Sequence, residues 1–143
     1  MSGIIPSDQV NLKIAYLNIL QNIIARMSNY VLAIKTASIT VMTALLAFSA
    51  ADNVCFHWWV FLIPWTVFVG YHTYFLRLER AFRNMYNDAT SSINIDISDF
   101  KIDKVKLDNS MPKVKEILLS FPLAFFHFAL LATISSAYFF LSN

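Results

Sequence analysis

Hydrophobic residues are concentrated in three long runs, at residues 30–51, 54–76 and 117–141. A helix rises about 1.5 Å per residue, so about 20 residues cross the hydrocarbon core of a bilayer. Each run reaches this length. The pattern therefore predicts a single membrane domain with three transmembrane helices over residues 1–143.

Polar and small residues form a stripe along the first of these helices. Residues 10–30 contain no Gly or Pro, so an N-terminal helix is predicted to continue directly into the first span, over residues 8–51. Steps of three and four residues, which stay on one helix face, connect the members of the stripe. This polar stripe comprises Asn11, Ala15, Asn18, Asn22, Arg26, Asn29, Ala33, Thr36, Thr40, Thr43 and Ala47.

The polar stripe has two interpretations. Small and hydroxyl side chains let transmembrane helices approach closely and form hydrogen bonds, so the stripe fits a helix contact. Alternatively, oligomerisation turns the stripe inward, where its polarity would control the wetting of a narrow pore. In that case Thr36, Thr40 and Thr43 would line the pore.

Aromatic residues lie near both ends of the second span, and the span contains one proline. Such aromatic belts anchor helices at membrane interfaces. Pro64 lacks a backbone donor and predicts a kink within the span. The aromatic residues are Trp58, Trp59, Trp65, Tyr71 and Tyr74.

Basic residues follow the second span on a predicted extension of the same helix, over residues 54–87. Arg77, Arg80 and Arg83 share one broad face, and Glu79 is spaced to pair with Arg83. One interpretation is a collar that holds the helix at anionic headgroups. The other is an anion site, because guanidinium groups bind phosphate through paired hydrogen bonds and symmetric copies would repeat the cluster. Neighbouring aromatic side chains also suit a single-stranded nucleic acid.

The hydrophobic period changes over residues 88–113. Ile93, Ile95 and Ile97 alternate with polar residues, and Phe100 and Ile102 follow. This alternation predicts a small cytoplasmic β-hairpin between the second and third spans. An isolated hairpin is marginally stable in water, so its apolar face should pack against a helix or another subunit.

The third span is predicted over residues 115–141, with His127 near its middle. An intramembrane histidine invites a proton-transfer role, but the apolar run 117–141 contains no acidic residue. We therefore expect a neutral, hydrogen-bonded His127. In the first span, Lys35 lies about one turn inside the predicted membrane boundary, and its ammonium is expected to snorkel toward the interface. If the span begins nearer Met27, Lys35 would instead contact the pore or a lipid headgroup.

The distribution of charge predicts the orientation. Hydrophobic residues make up 57% of the chain and charged residues 14%, a composition outside the range of soluble domains. Basic residues precede the first span and are frequent between the second and third, whereas the turn after the first span has none. Basic loops remain cytoplasmic. The N-terminus and long loop are therefore predicted to be cytoplasmic, with the C-terminus outside.

Sequence motifs for catalysis or metal binding are missing. The chain has no phosphate-binding glycine loop, no closely spaced histidine pair and no nucleophile elbow. Its one cysteine, Cys55, excludes an intramolecular disulfide and a thiolate metal cluster. We expect no enzymatic activity and no cofactor.

Two segments resemble a known kind of protein. They are residues 21–29, QNIIARMSN, which lead into the span rich in Thr and Ala, and residues 74–86, YFLRLERAFRNMY, after the second span. These segments resemble small membrane effectors of bacterial antiphage defence, in particular those of Hailong systems, which act with a nucleotidyltransferase. The resemblance implies a homo-oligomeric, tetrameric ion channel that depolarises infected cells. It also implies that a single-stranded DNA oligomer made by the partner enzyme holds the channel closed.

The residues and the resemblance together predict an all-α, oligomeric, ligand-gated pore with a small β-hairpin. Alternatives are a noncatalytic membrane anchor or assembly subunit, and a holin-like lytic protein that makes large holes. The predicted phosphate or oligonucleotide site comprises Arg77, Arg80 and Arg83, with Asn18, Asn22 and Arg26 as its vestibule or second half.

Overall fold

The computed structural model of the chain describes residues 7–51, 56–92, 100–102 and 104–141. The described residues form five α-helices and one short 3₁₀ turn. The helices are α1 (Ser7–Ser49), α2 (Leu62–Ser91), α3 (Lys104–Ser110), α4 (Val114–Leu118) and α5 (Phe121–Leu141), and the 3₁₀ turn, Trp58–Phe61, leads into α2.

Three helical segments are long and apolar enough to cross a membrane, which confirms the number of predicted spans. They are α1, the 3₁₀ turn with α2, and α5. At 43 residues, α1 is about 65 Å long, roughly twice the thickness of a hydrocarbon core. Both α1 and α2 therefore have room for a span and for an extension beyond the membrane. The extensions are the N-terminal part of α1 and the C-terminal part of α2.

The helix α1 packs against α2 and also contacts α5. In the extensions, Tyr16 and Leu20 of α1 form a buried cluster with Phe82, Met85 and Ala89 of α2, here called the extension cluster. At the far ends of the spans, a second cluster joins Met42, Phe61 and Ile134. The same face of α1 is therefore buried along most of its length.

Lysine hydrogen bonds hold the two extensions together at their ends. Lys13 Nζ donates to the backbone oxygens of Thr90 and Ser92, at 2.9 and 2.7 Å. These carbonyls lie at the C-terminus of α2, where the last carbonyl groups have no partner within the helix and a cation is favourable. The contact helps to fix the register of α1 against α2.

The extension cluster predicts a large effect on stability. Leu20 is fully buried, and Leu20→Ala is expected to lower the free energy of unfolding by about 2–5 kcal/mol, because it removes apolar contacts and leaves a cavity. Ile19→Ala is the matched control, since Ile19 is 42% exposed. Chemical unfolding in detergent micelles, followed by circular dichroism, measures both. Equal losses of stability in the two variants would contradict this packing.

The predicted β-hairpin is wrong, because the described residues of this segment contain no strand. The helix α2 continues to Ser91, and α3 occupies residues 104–110. Phe100, Ile102 and Leu107 pack on the extension cluster, and the Phe100 ring lies 5.4 Å from that of Tyr16. Phe100 and Ile102, which were predicted to belong to the hairpin, instead pack against helices. Residues 93–99, on which most of that prediction depended, lie outside the described part.

Prolines mark helix starts at positions that differ from the prediction. Pro64 lies in the first turn of α2, directly after the 3₁₀ turn, and Pro122 lies in the first turn of α5. Backbone N–H groups of a first turn have no partner within the helix, so proline is tolerated there. Pro64 therefore does not lie in the middle of the second span, where a kink was predicted. The third membrane helix starts at Phe121, after the short helix α4, and not at Lys115 as predicted.

Candidate functional site

The polar stripe of α1 faces away from the rest of the molecule. All of its members are exposed, whereas the buried residues of α1 in this part are Val31, Ser38 and Met42. Thr40 is two residues from both Ser38 and Met42, which places it about half a turn around the helix from them. The helices α2 and α5 therefore leave the whole stripe uncovered.

Hydroxyl groups on the stripe donate to the backbone of their own helix. Thr36 Oγ1 donates to the Leu32 oxygen at 3.2 Å, and Thr40 Oγ1 donates to the Thr36 oxygen at 3.0 Å. Each hydroxyl oxygen keeps acceptor capacity after donating its proton. This face of α1 can therefore offer oxygen acceptors to water or to a cation.

Two of the three predicted phosphate-binding arginines contact protein groups. Arg83 pairs with the buried Glu79, with Nη2 at 2.7 Å and Nε at 2.9 Å from Oε1, which confirms the predicted pair. Arg77 Nε donates to the Pro112 oxygen at 2.8 Å and so joins α2 to the segment before α4. Arg80 is partly buried on the same helix. Because a guanidinium has five N–H donors, these contacts leave capacity for an anion.

An open groove runs between the extensions of α1 and α2, beside Arg83. Its volume is about 480 Å³, and Gln21, Ser28, Tyr86 and Asn87 are among its lining residues. Gln21 Nε2 donates to the Tyr86 hydroxyl at 3.0 Å. The groove thus combines a guanidinium with amide and hydroxyl groups, which can donate to phosphate or pair with the edge of a base.

The predicted vestibule residues of α1 are separate from this groove in one chain. Asn18, Asn22 and Arg26 are exposed members of the polar stripe, and none of them lines the groove. Of the three predicted arginines of α2, Arg83 lines the groove, whereas Arg77 and Arg80 are not among its lining residues.

A buried histidine pair is the feature that the sequence did not predict. His72 Nδ1 and His127 Nε2 lie 3.0 Å apart, and the two residues are 1% and 2% exposed. Trp65 Nε1 donates to the His127 oxygen at 3.2 Å. The hydrogen-bonded His127 agrees with expectation, but its partner is a histidine of α2. Depth could not reveal the pair in the sequence, because the predicted span over residues 115–141 places His127 near its middle. In the structure α5 starts at Phe121, which brings His127 near the same end of the spans as His72.

Lys35 lies next to this pair, across one aromatic ring. Its ammonium is 5.5 Å from the centre of the Phe126 ring. The same ring lies 6.0 Å from that of His72 and 5.0 Å from that of His127. Aromatic faces attract cations, so Phe126 holds the Lys35 ammonium close to the histidines.

Comparison with protein-family models, with curated proteins and with solved structures found no match for this chain. Within residues 7–51, 56–92, 100–102 and 104–141, no group of three or more His, Cys, Asp or Glu side chains could hold a metal ion. A functional assignment therefore depends on the membrane helices, the exposed stripe and the groove lined by Arg83, here called the arginine groove.

Proposed function

We propose that this chain assembles into a homotetrameric, ligand-gated ion channel of the bacterial inner membrane, with α1 lining the pore. The exposed polar stripe is the observation that carries the proposal. Polar side chains are unfavourable against lipid, and within membranes they face other helices or water-filled cavities. In a closed symmetric oligomer every copy presents the same face to the axis. A central pore would therefore hydrate Thr36, Thr40 and Thr43 of all copies at once.

The ligand in this proposal is a nucleotide or single-stranded DNA oligomer made by a partner nucleotidyltransferase. The arginine groove supports this choice, because Arg83 is 57% exposed and is surrounded by amide and hydroxyl groups. Arg77, Arg80 and Arg83 would bind phosphates, and Asn18, Asn22 and Arg26 of a neighbouring copy would complete the site. The biological role is that of a membrane-depolarising effector in antiphage defence, with the N-terminus in the cytoplasm.

Ion flux from liposomes that contain the purified protein tests this function. We expect flux without ligand and its suppression by single-stranded DNA oligomers, with an unrelated polyanion such as heparin as control. Flux that no oligomer changes would retain the channel and reject this regulator.

Two other outcomes would reject the channel itself. No flux from correctly inserted protein would support the membrane anchor, whereas leakage of whole proteins from the liposomes would support a holin-like lytic protein. Protease protection of the extensions establishes insertion and orientation in the same liposomes.

A further inference from the structure

The histidine pair lies in apolar surroundings that hold few groups able to accept or donate a proton. Phe126 packs against both rings, and Trp65 packs edge-on against His127. His127 Nδ1 is buried and has no hydrogen-bond partner among the described residues. A buried polar atom without a partner is unfavourable, and such atoms are rare in folded proteins. The unpartnered nitrogen therefore needs an explanation beyond packing.

The geometry limits how many protons the pair can bind. Neutral imidazoles carry one N–H each, and one of these makes the 3.0 Å hydrogen bond between Nδ1 of His72 and Nε2 of His127. One added proton goes to an outer nitrogen, and the hydrogen bond remains and becomes charge-assisted. A second added proton would place hydrogens on both facing nitrogens. That would break the hydrogen bond and put two cations in direct contact, so the folded pair accepts one proton.

The charged side chain that acts on both imidazoles comes from α1. Lys35 of α1 interacts electrostatically with both imidazoles. On α2, the nearest charged residues are Arg77, bonded to Pro112, and Glu79, paired with Arg83 about two turns away. The helix α5 contains no charged residue. A protonated pair would therefore face the Lys35 ammonium, and no carboxylate among the described residues acts on the two imidazoles to offset the repulsion.

We propose that His72 and His127 form a single proton-binding site inside the membrane domain, and that its protonation loosens the packing of α1 against α5 by repelling Lys35. The site is distinct from the polar stripe and from the arginine groove. It would make the arrangement of the three membrane helices sensitive to pH at the end of the spans nearest Arg77.

Nitrogen-15 NMR of histidine-labelled protein in lipid nanodiscs tests the proton count directly. The chain has three histidines, so His57→Gln leaves only the resonances of the pair. As the pH is lowered from about 8 to about 3, we expect one proton for the two rings, with both sets of resonances changing together. Independent uptake of one proton by each ring, or no uptake by either, would overturn the proposal.

Thermal unfolding as a function of pH tests the coupling to α1. Two unfolded imidazoles accept two protons where the folded pair accepts one, so the unfolded protein binds more protons in acid and the melting temperature falls as pH is lowered. His72→Gln keeps a hydrogen-bonding side chain but leaves one imidazole of the pair to take up a proton on unfolding, and should make the fall smaller. Lys35→Gln should reduce the fall by less than half, because burial of the imidazoles, which also opposes their charge, remains. His57→Gln is the control for the loss of one imidazole.

An unchanged pH profile in both Lys35→Gln and His72→Gln would refute the coupling. Neither measurement requires ion flux. A failure of the channel proposal would therefore leave this test intact, and a failure here would leave the channel proposal untouched.

Discussion

Thr40→Leu is expected to reduce ion flux through the reconstituted protein by about tenfold or more, because narrow pores with apolar walls lose their water. Thr40 is exposed on the polar stripe, between Thr36 and Thr43, and its hydroxyl donates to the backbone of its own helix. Leucine removes this oxygen and adds apolar volume in every copy. Thr40→Ser keeps the hydroxyl and should retain most of the flux. Fluorescence measurements of ion flux from liposomes check both variants.

Thr66→Leu is the matched control for this experiment. Thr66 is also exposed in a membrane helix, and its hydroxyl also donates to its own backbone, to the Ile63 oxygen at 2.8 Å. It lies on α2, outside the polar stripe. Normal flux in Thr66→Leu and intact oligomers in Thr40→Leu would support the pore. Loss of oligomers in Thr40→Leu, with no flux from the unmodified protein, would show instead that the stripe is a packing surface.

Binding of a single-stranded DNA oligomer is expected to weaken steeply with salt. If the arginines of a tetramer neutralise about six phosphates, the affinity should fall roughly 300-fold between about 50 and about 200 mM salt, because bound cations are released from the strand. Fluorescence anisotropy with a labelled oligomer measures this slope. A flat salt response would remove the arginine site from the proposal.

Single substitutions then assign the slope to particular residues. Arg83→Gln should weaken binding and lower the slope by about 0.7 for each phosphate that the arginine no longer neutralises, because Arg83 lines the groove with an exposed guanidinium. Lys101→Gln removes an exposed positive charge outside the groove and serves as the control. Equal effects of the two substitutions would indicate general charge attraction without a defined site.

Helices and local pairs were largely predictable from the chain itself. A run of apolar residues must be covered by lipid or by other helices wherever it lies, so run length alone indicated three spans. The continuity of α1 followed from residues without a helix breaker. The Glu79–Arg83 pair depends only on helical spacing, and it was found where that spacing placed it.

Short segments were less predictable, because a brief alternation of apolar residues fits more than one structure. Phe100 and Ile102 suggested a strand, but the extensions of α1 and α2 provide an apolar surface that covers them. Likewise, proline alone does not distinguish a kink from a helix start. Pro64 lies in the first turn of α2, directly after a 3₁₀ turn, and this position is known only from the structure.

By itself, the sequence determined the three apolar spans, the continuous first helix and the polar stripe along it, because these follow from the order of residues and the period of a helix. Only the tertiary structure decided which face of α1 is buried, how Arg83 and Gln21 share a groove, and that His72 meets His127. These residues are far apart in the chain. Their contacts depend on the relative rotation and depth of whole helices, and that alignment results from many small packing interactions that no local pattern records.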